Sequence, residues 1–75
     1  MAFKETDPVL FMQAEISRLY RRRHGISISE FNDVDLKIDI LGFIEVGYEL
    51  FHITGEEGIL DEIDDYCRHR LAQNR

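Results

Sequence analysis

The hydrophobic pattern of the chain is densest between Ile40 and Ile53, where only two glycines, two glutamates and one histidine interrupt apolar or aromatic residues. On a helix, these apolar positions point in almost every direction, and such a helix is usually buried. A strand is disfavoured because Gly42 and Gly47 would weaken it and because the apolar positions do not alternate. The pattern therefore predicts a central helix over residues 40–53, with both glycines at its contacts with neighbouring helices.

A first helix is predicted before this segment. Asp7 can accept hydrogen bonds from the free amides of a first turn, and Pro8 suits the first helical position because its missing amide is not needed there. A stripe of apolar residues at helical spacing follows. We expect the helix to run from Pro8 to Arg23 and to end at Gly25 in the left-handed conformation.

A second, shorter helix is predicted from Ile28 to Leu36. Ser27 and Glu30 have the spacing of a capping box, in which each side chain bonds to the backbone amide of the other residue. This segment has too few apolar residues to be stable as an isolated helix. It must therefore pack on the other helices. Its expected core contacts are Phe31 and Val34.

The remaining helix boundaries follow from caps and charge. Asp39 is the expected N-cap of the third predicted helix, and Gly55 is its expected end. A fourth helix is predicted over residues 56–71, with an acidic first turn that suits the helix dipole. Asp64 and Arg68 are expected to pair at i,i+4. The apolar stripe of this helix comprises Ile59, Leu60, Ile63, Tyr66, Cys67 and Leu71.

These elements predict a single all-α domain spanning residues 1–75. Its expected architecture is a small bundle of three long helices and one short helix, with the third helix at the centre. The tails, residues 1–6 and 72–75, are expected to fray. A chain of 75 residues can bury one small core, and its apolar content leaves material for burial against a partner.

The acidic charge of the chain indicates which class of partner it could bind. The formal net charge is −6, and residues 30–65 contain twelve acidic side chains but only one basic one, Lys37. Such a surface repels phosphate backbones and attracts basic surfaces, so nucleic acid is disfavoured as a partner. The single cysteine and the lack of a signal-like or membrane-spanning segment predict a cytoplasmic protein.

A basic cluster, Arg21 to Arg23 with His24, lies at the end of the first predicted helix. Cations at this position match the helix dipole, which is the simplest interpretation. The alternatives are one side of a charged interface, in which arginine forks meet carboxylates, and a nucleic-acid contact.

No catalytic or metal-binding constellation accompanies these patterns. The three histidines lack metal-ligand spacing, and Cys67 and His69 fall on different helix faces. We therefore expect no enzyme activity, no cofactor and no metal, and Cys67 is expected to be a small buried side chain. His52 is expected to bond to the last carbonyls of the third helix or to complement the dipole of its C-terminus, with partner contact as the alternative.

Four segments together carry a family resemblance: Tyr20-Arg-Arg-Arg-His-Gly-Ile-Ser27, Glu30-Phe31, Tyr48-Glu-Leu-Phe-His-Ile-Thr-Gly-Glu-Glu57 and Asp61-Glu-Ile-Asp-Asp-Tyr66. With them, the chain resembles the small bacterial family known as domain of unknown function 3791. Ile53-Thr54, Asp39 and Gly58 depart from its pattern. The resemblance implies an all-helical protein without an agreed activity. Members are often encoded near ADP-ribosyltransferase-like toxins, which implies an antitoxin or immunity-like role.

We therefore predict a non-enzymatic module that docks on a larger partner enzyme and neutralises it by occlusion. A self-associating homodimer that uses the apolar surface of the first and fourth helices is the alternative. A DNA-binding regulator that uses Arg18 and the cluster Arg21 to Arg23 is weaker. The predicted partner-binding residues are His52, Glu56, Glu57, Asp61, Asp64 and Asp65.

Overall fold

The computed structural model describes residues 7–73, which fold into five helices without a strand. The all-α prediction is confirmed. The arrangement differs from the predicted one, because the third predicted helix is divided in two and only the first and last helices are long. The helices are α1 (Pro8–His24), α2 (Ile28–Ile38), α3 (Ile40–Val46), α4 (Tyr48–Phe51) and α5 (Glu56–Gln73).

The predicted caps of α1 are present at both ends. The Asp7 carboxylate accepts a hydrogen bond of 3.1 Å from the amide of Leu10, and Pro8 opens the helix. Gly25 ends it with φ of 64°, and its amide donates to the carbonyl of Arg21. This left-handed backbone is the conformation that glycine adopts without steric strain.

The capping box of α2 is also present. The Glu30 amide donates to Ser27 Oγ at 3.0 Å, and the Ser27 amide donates to Glu30 Oε1 at 2.8 Å. The helix continues two residues beyond the predicted end, to the buried Ile38. Asp39 alone then separates α2 from α3, with φ of 65°. Its carboxylate accepts a 3.1 Å bond from the Gly42 amide, as an N-cap does.

Gly47 divides the helix that we predicted over residues 40–53. Its backbone has φ of −89° and ψ of 6°, and α4 begins at the next residue. A Cβ at Gly47 would lie 2.6 Å from the ring of Phe51, and one at Gly42 would overlap the Asp39 carboxylate. The prediction that these glycines admit neighbouring helices was therefore wrong, since both make room for side chains of their own segment.

The core is a single cluster to which α1, α2, α3, α4 and α5 all contribute. Its most enclosed side chains are Ile40 and Ile44 from α3 and Ile63 from α5, all fully buried. The helix α3 contacts each of the other four helices. The buried residues are Ile16, Tyr20, Phe31, Ile38, Ile40, Ile44, Phe51, Ile59, Leu60, Ile63 and Cys67.

The ends of the chain were predicted to fray. Ala72 and Gln73 instead continue α5, while residues 1–6 and 74–75 lie outside the described residues. Leu71, which we placed on the apolar stripe of this helix, is 54% exposed. Within residues 7–73, no helix has the length and hydropathy that a membrane span requires.

Candidate functional site

A shallow groove lies between the start of α1 and the short helix α4. Its volume is about 270 Å³, and apolar side chains make up most of its wall. Two predicted partner-binding residues, His52 and Glu56, lie at this groove. Its other lining residues are Pro8, Phe11, Met12, Glu15, Ile16, Tyr48, Phe51, Thr54 and Ile59.

The His52 side chain does not bond to the last carbonyls of the segment, which was the first of its two predicted structural roles. The Thr54 hydroxyl donates to the Leu50 carbonyl at 2.9 Å and so caps the end of α4. The His52 ring makes no hydrogen bond within residues 7–73 and lies edge-on to Tyr48, with 5.3 Å between the ring centroids. His52 is exposed, so a partner at the groove would meet its imidazole directly.

Three other predicted residues, Glu57, Asp61 and Asp64, surround one arginine. The Arg23 guanidinium donates to Glu57 at 2.6 Å and to both Asp61 and Asp64 at 3.0 Å. His24 Nε2 lies 2.8 Å from Asp64 Oδ1. Hydrogen bonds to Asp61, Asp64 and then Glu57 raise the pKa of Arg23. This Arg23 cluster joins the end of α1 to α5, so much of the predicted acidic docking face is occupied within the molecule.

The Arg23 cluster also settles what Arg23 does. Its fork meets carboxylates across an interface between two helices of the same chain, rather than only matching the dipole of α1. Arg18, the other arginine invoked for DNA, pairs with Glu15 at 2.7 Å. Two of the four cations named for a nucleic-acid contact are therefore engaged in ion pairs.

Asp65, the sixth predicted residue, lies apart from both groups. Its carboxylate pairs with Arg68 at 2.6 Å, one turn along α5. The predicted pair of Asp64 with Arg68 was wrong, because Asp64 points towards Arg23 and His24. His69 Nδ1 lies 2.8 Å from the Asp65 carbonyl oxygen. Among the described residues, no three metal-ligating side chains converge.

Cys67 is buried, as predicted. Its sulfur lies 3.8 Å from the hydroxyl of Tyr20, so this contact joins α5 to α1 in the core. Burial raises the pKa of the Cys67 thiol and that of the Tyr20 hydroxyl. Both groups are therefore held in their neutral forms, which is the opposite of what an activated thiol requires.

Three exposed aliphatic side chains follow one another along α3, α4 and the turn after α4. They are Val46, Leu50 and Ile53, which are 88%, 61% and 75% exposed. Val46 ends α3, Leu50 lies in α4, and Ile53 lies in the turn that leads to α5. We refer to these three residues as the outer stripe.

The outer stripe corrects the prediction that residues 40–53 are buried all round. Ile40, Ile44 and Phe51 are buried, whereas the outer stripe is more than half exposed. Sequence reasoning missed this division because it counted apolar residues without separating their directions, and the break at Gly47 prevents one helical wheel from describing residues 40–53.

A family model described as "Protein of unknown function (DUF3791)" matches residues 12–70. The match spans α1 from its second turn, α2, α3, α4 and most of α5. Searches of curated proteins and of solved structures gave no significant match. Because the matched segment covers most of the 75 residues, the chain belongs to the family of proteins of unknown function DUF3791.

Proposed function

We propose that this chain is a non-enzymatic protein-binding module that docks on a larger protein. The observation that carries the proposal is the outer stripe. Three large aliphatic side chains within eight residues are more than half exposed, and clustered exposed apolar side chains in a small domain mark an interaction site. Burial of this surface by a partner would supply the hydrophobic part of the binding free energy.

The groove beside α4 is a second exposed apolar surface, and no residue of the outer stripe lines it. Phe11 is 71% exposed and lines the groove with Tyr48 and His52. Glu15 and Glu56 stand among the same residues and add negative charge. Aromatic side chains in a partly enclosed apolar site are typical of the centre of a protein interface. In this proposal, His52 and Glu56 keep a partner-binding role.

The partner that we propose is a larger enzyme, which the module neutralises by covering its active site, as an antitoxin or immunity protein does. The net charge of −6 would steer a basic surface of that enzyme towards the module. Occlusion of this kind requires a stable surface and no catalytic group on the module. In this proposal the complex forms in the cytoplasm.

Co-purification tests the proposal. The tagged chain is expressed in its source cell beside a variant in which Val46, Leu50 and Ile53 are all serine. We expect the wild type to retain one specific partner, to inhibit it in purified form and to lose both properties in the variant. Leu36→Ser is the matched control, because Leu36 is 86% exposed on α2. No specific partner, or a partner whose activity is unchanged, would contradict the proposal.

A homodimer is a second candidate, which the exposure of α1 favours. Leu10 and Phe11 are 61% and 71% exposed on this helix, and Leu71 of α5 is also exposed. An isologous contact of these residues would bury apolar surface on both copies. Light scattering over a range of concentrations tests this candidate, with Leu10→Ser and Phe11→Ser as variants. A monomer at every concentration would dismiss it.

A further inference from the structure

The outer stripe has an acidic border. Glu45 and Glu49 directly precede Val46 and Leu50, and both glutamates are exposed. Each glutamate is therefore the chain neighbour of a stripe residue, on α3 and on α4 respectively. Exposed apolar side chains and exposed carboxylates thus share this short stretch of chain.

No cation lies in this part of the sequence to balance the border. Residues 38–67, from the end of α2 to most of α5, contain no lysine or arginine. Arg23, which reaches α5 from α1, is bound by Glu57, Asp61 and Asp64. The carboxylates of Glu45 and Glu49 take part in no ion pair among the described residues. They are available to cations from outside the chain.

We propose that the element docking on the outer stripe is a basic amphipathic helix of the partner protein. Its apolar face would cover Val46, Leu50 and Ile53, and its lysine or arginine side chains would reach Glu45 and Glu49. This inference rests on the proposed function and adds the chemistry of the partner. A basic amphipathic helix fits because it presents apolar anchors and cations together, which match the three exposed aliphatic side chains and the two exposed carboxylates.

A second copy of this chain is a poor occupant of the same surface. A two-fold contact along the stripe would bring the carboxylates of Glu45 and Glu49 from both copies to one interface. Carboxylates gathered at an interface repel, and neither glutamate has an ion-pair partner within residues 7–73 to offset the repulsion. An anionic membrane is disfavoured for the same reason, since its surface attracts polybasic segments.

Three labelled peptides of about 18 residues, roughly 27 Å long as helices, test the inference by fluorescence anisotropy. The first has an apolar leucine face and lysine elsewhere. The second has the same leucine face with glutamate elsewhere. The third has the composition of the first in an order that gives no apolar face. We expect binding of the first peptide only, and weaker binding as salt rises because the charges are screened.

Variants of the chain localise that binding. Conversion of Val46, Leu50 and Ile53 to serine is expected to weaken binding of the leucine–lysine peptide about tenfold or more. Glu45→Lys with Glu49→Lys is expected to weaken it several-fold and to reduce its salt dependence. Leu36→Ser and Glu62→Lys are the matched controls for apolar exposure and charge, and both should bind as the wild type does. Circular dichroism verifies that each variant folds, and Leu50→Ser alone replaces the triple variant if that one does not.

Three results would overturn the inference. In the first, the leucine–lysine peptide fails to bind. In the second, the leucine–glutamate peptide binds equally well, and in the third, the serine variant binds the leucine–lysine peptide as the wild type does. Dimerisation of the wild type that the serine variant abolishes would assign the stripe to a second copy. Binding to anionic vesicles that the same variant abolishes would assign it to a membrane.

Failure of the inference is separable from failure of the proposed function. If the chain retains and inhibits a specific partner and the serine variant does so equally well, the module binds through another surface. The proposed function then stands without the helical docking element, and the groove at His52 becomes the surface to test. If the peptide experiment succeeds but no partner is inhibited, the stripe recognises basic helices for another purpose.

Discussion

The hydroxyl of Tyr66 donates a hydrogen bond of 2.7 Å to the carbonyl oxygen of Ile38, the last residue of α2. Arg70 Nη1 in turn donates to the same hydroxyl at 2.9 Å. The Tyr66 ring stacks on Phe43 of α3, with 4.0 Å between the ring centroids. The Tyr66 side chain of α5 thus contacts both the end of α2 and the helix α3 that follows it.

Replacement of Tyr66 by phenylalanine tests this contact. The variant keeps the ring stack but leaves the Ile38 carbonyl without its donor. We expect the free energy of unfolding to fall by about 1 kcal/mol, the usual net contribution of such a bond. Urea denaturation measures it. Tyr48→Phe is the control, because the Tyr48 hydroxyl makes no hydrogen bond within residues 7–73, and an equal loss in both variants would contradict the assignment.

Asp39 combines a left-handed backbone with a capping carboxylate. Asp39→Ala should lose the cap to Gly42 and keep the backbone strain, with a cost of about 1–2 kcal/mol. Asp39→Gly should lose the cap but relieve the strain, so its effect is expected to be a few tenths of a kcal/mol. Thermal and urea unfolding compare the two, with Asp33→Ala on the exposed side of α2 as control. A glycine variant as unstable as the alanine variant would refute this explanation.

The Arg23 cluster predicts a salt-dependent contribution to stability. Arg23→Gln removes the cation that three carboxylates share, and these then repel one another. We expect a lower denaturation midpoint near neutral pH, with a difference from the wild type that shrinks at about 1 M sodium chloride. Arg22→Gln, which breaks no ion pair within the described residues, should behave as the wild type. A loss that salt does not alter would show that packing, rather than charge, is responsible.

Tyr20 and Cys67 predict the response to alkaline pH. Burial raises the pKa of both groups, so the folded state keeps protons that the unfolded state releases. Their contribution is therefore fully present below their ordinary pKa values of 9.0 for Cys67 and 10.0 for Tyr20. Stability should fall as pH rises above about 9, because the unfolded state then binds fewer protons.

The double variant Tyr20→Phe, Cys67→Ala removes both titrating groups. Urea midpoints measured across this alkaline range should decline less steeply for it than for the wild type. The comparison uses slopes, so a uniform loss of stability in the variant does not affect it. Equal slopes would show that other groups control the alkaline response.

The features that the sequence predicted correctly are local. Ser27 and Glu30 identify the start of α2 because both halves of a capping box lie within three residues. Gly25 likewise marks its helix end through its own backbone. Such features depend on bonds between near neighbours, so no knowledge of the tertiary structure is needed.

The features that were missed depend on distant residues. The division at Gly47 reflects the space that the Phe51 ring needs once it enters the core. Arg23 was assigned to the dipole of α1 because nothing in the sequence places it beside Asp61 and Asp64, about forty positions later. Of the candidate site, His52 and Glu56 do share a groove, while the outer stripe emerged only when packing had fixed which side of α3 faces inward.

The thiol of Cys67 can report on motion between α1 and α5. Cys67 is the only cysteine of the chain and is 8% exposed where α5 meets α1, so a thiol reagent reaches it much faster once these helices separate. The rate of labelling therefore reports the opening of that interface without an added fluorophore. Slower labelling in the presence of a partner would show that binding at the surface reduces the opening of the interface between α1 and α5.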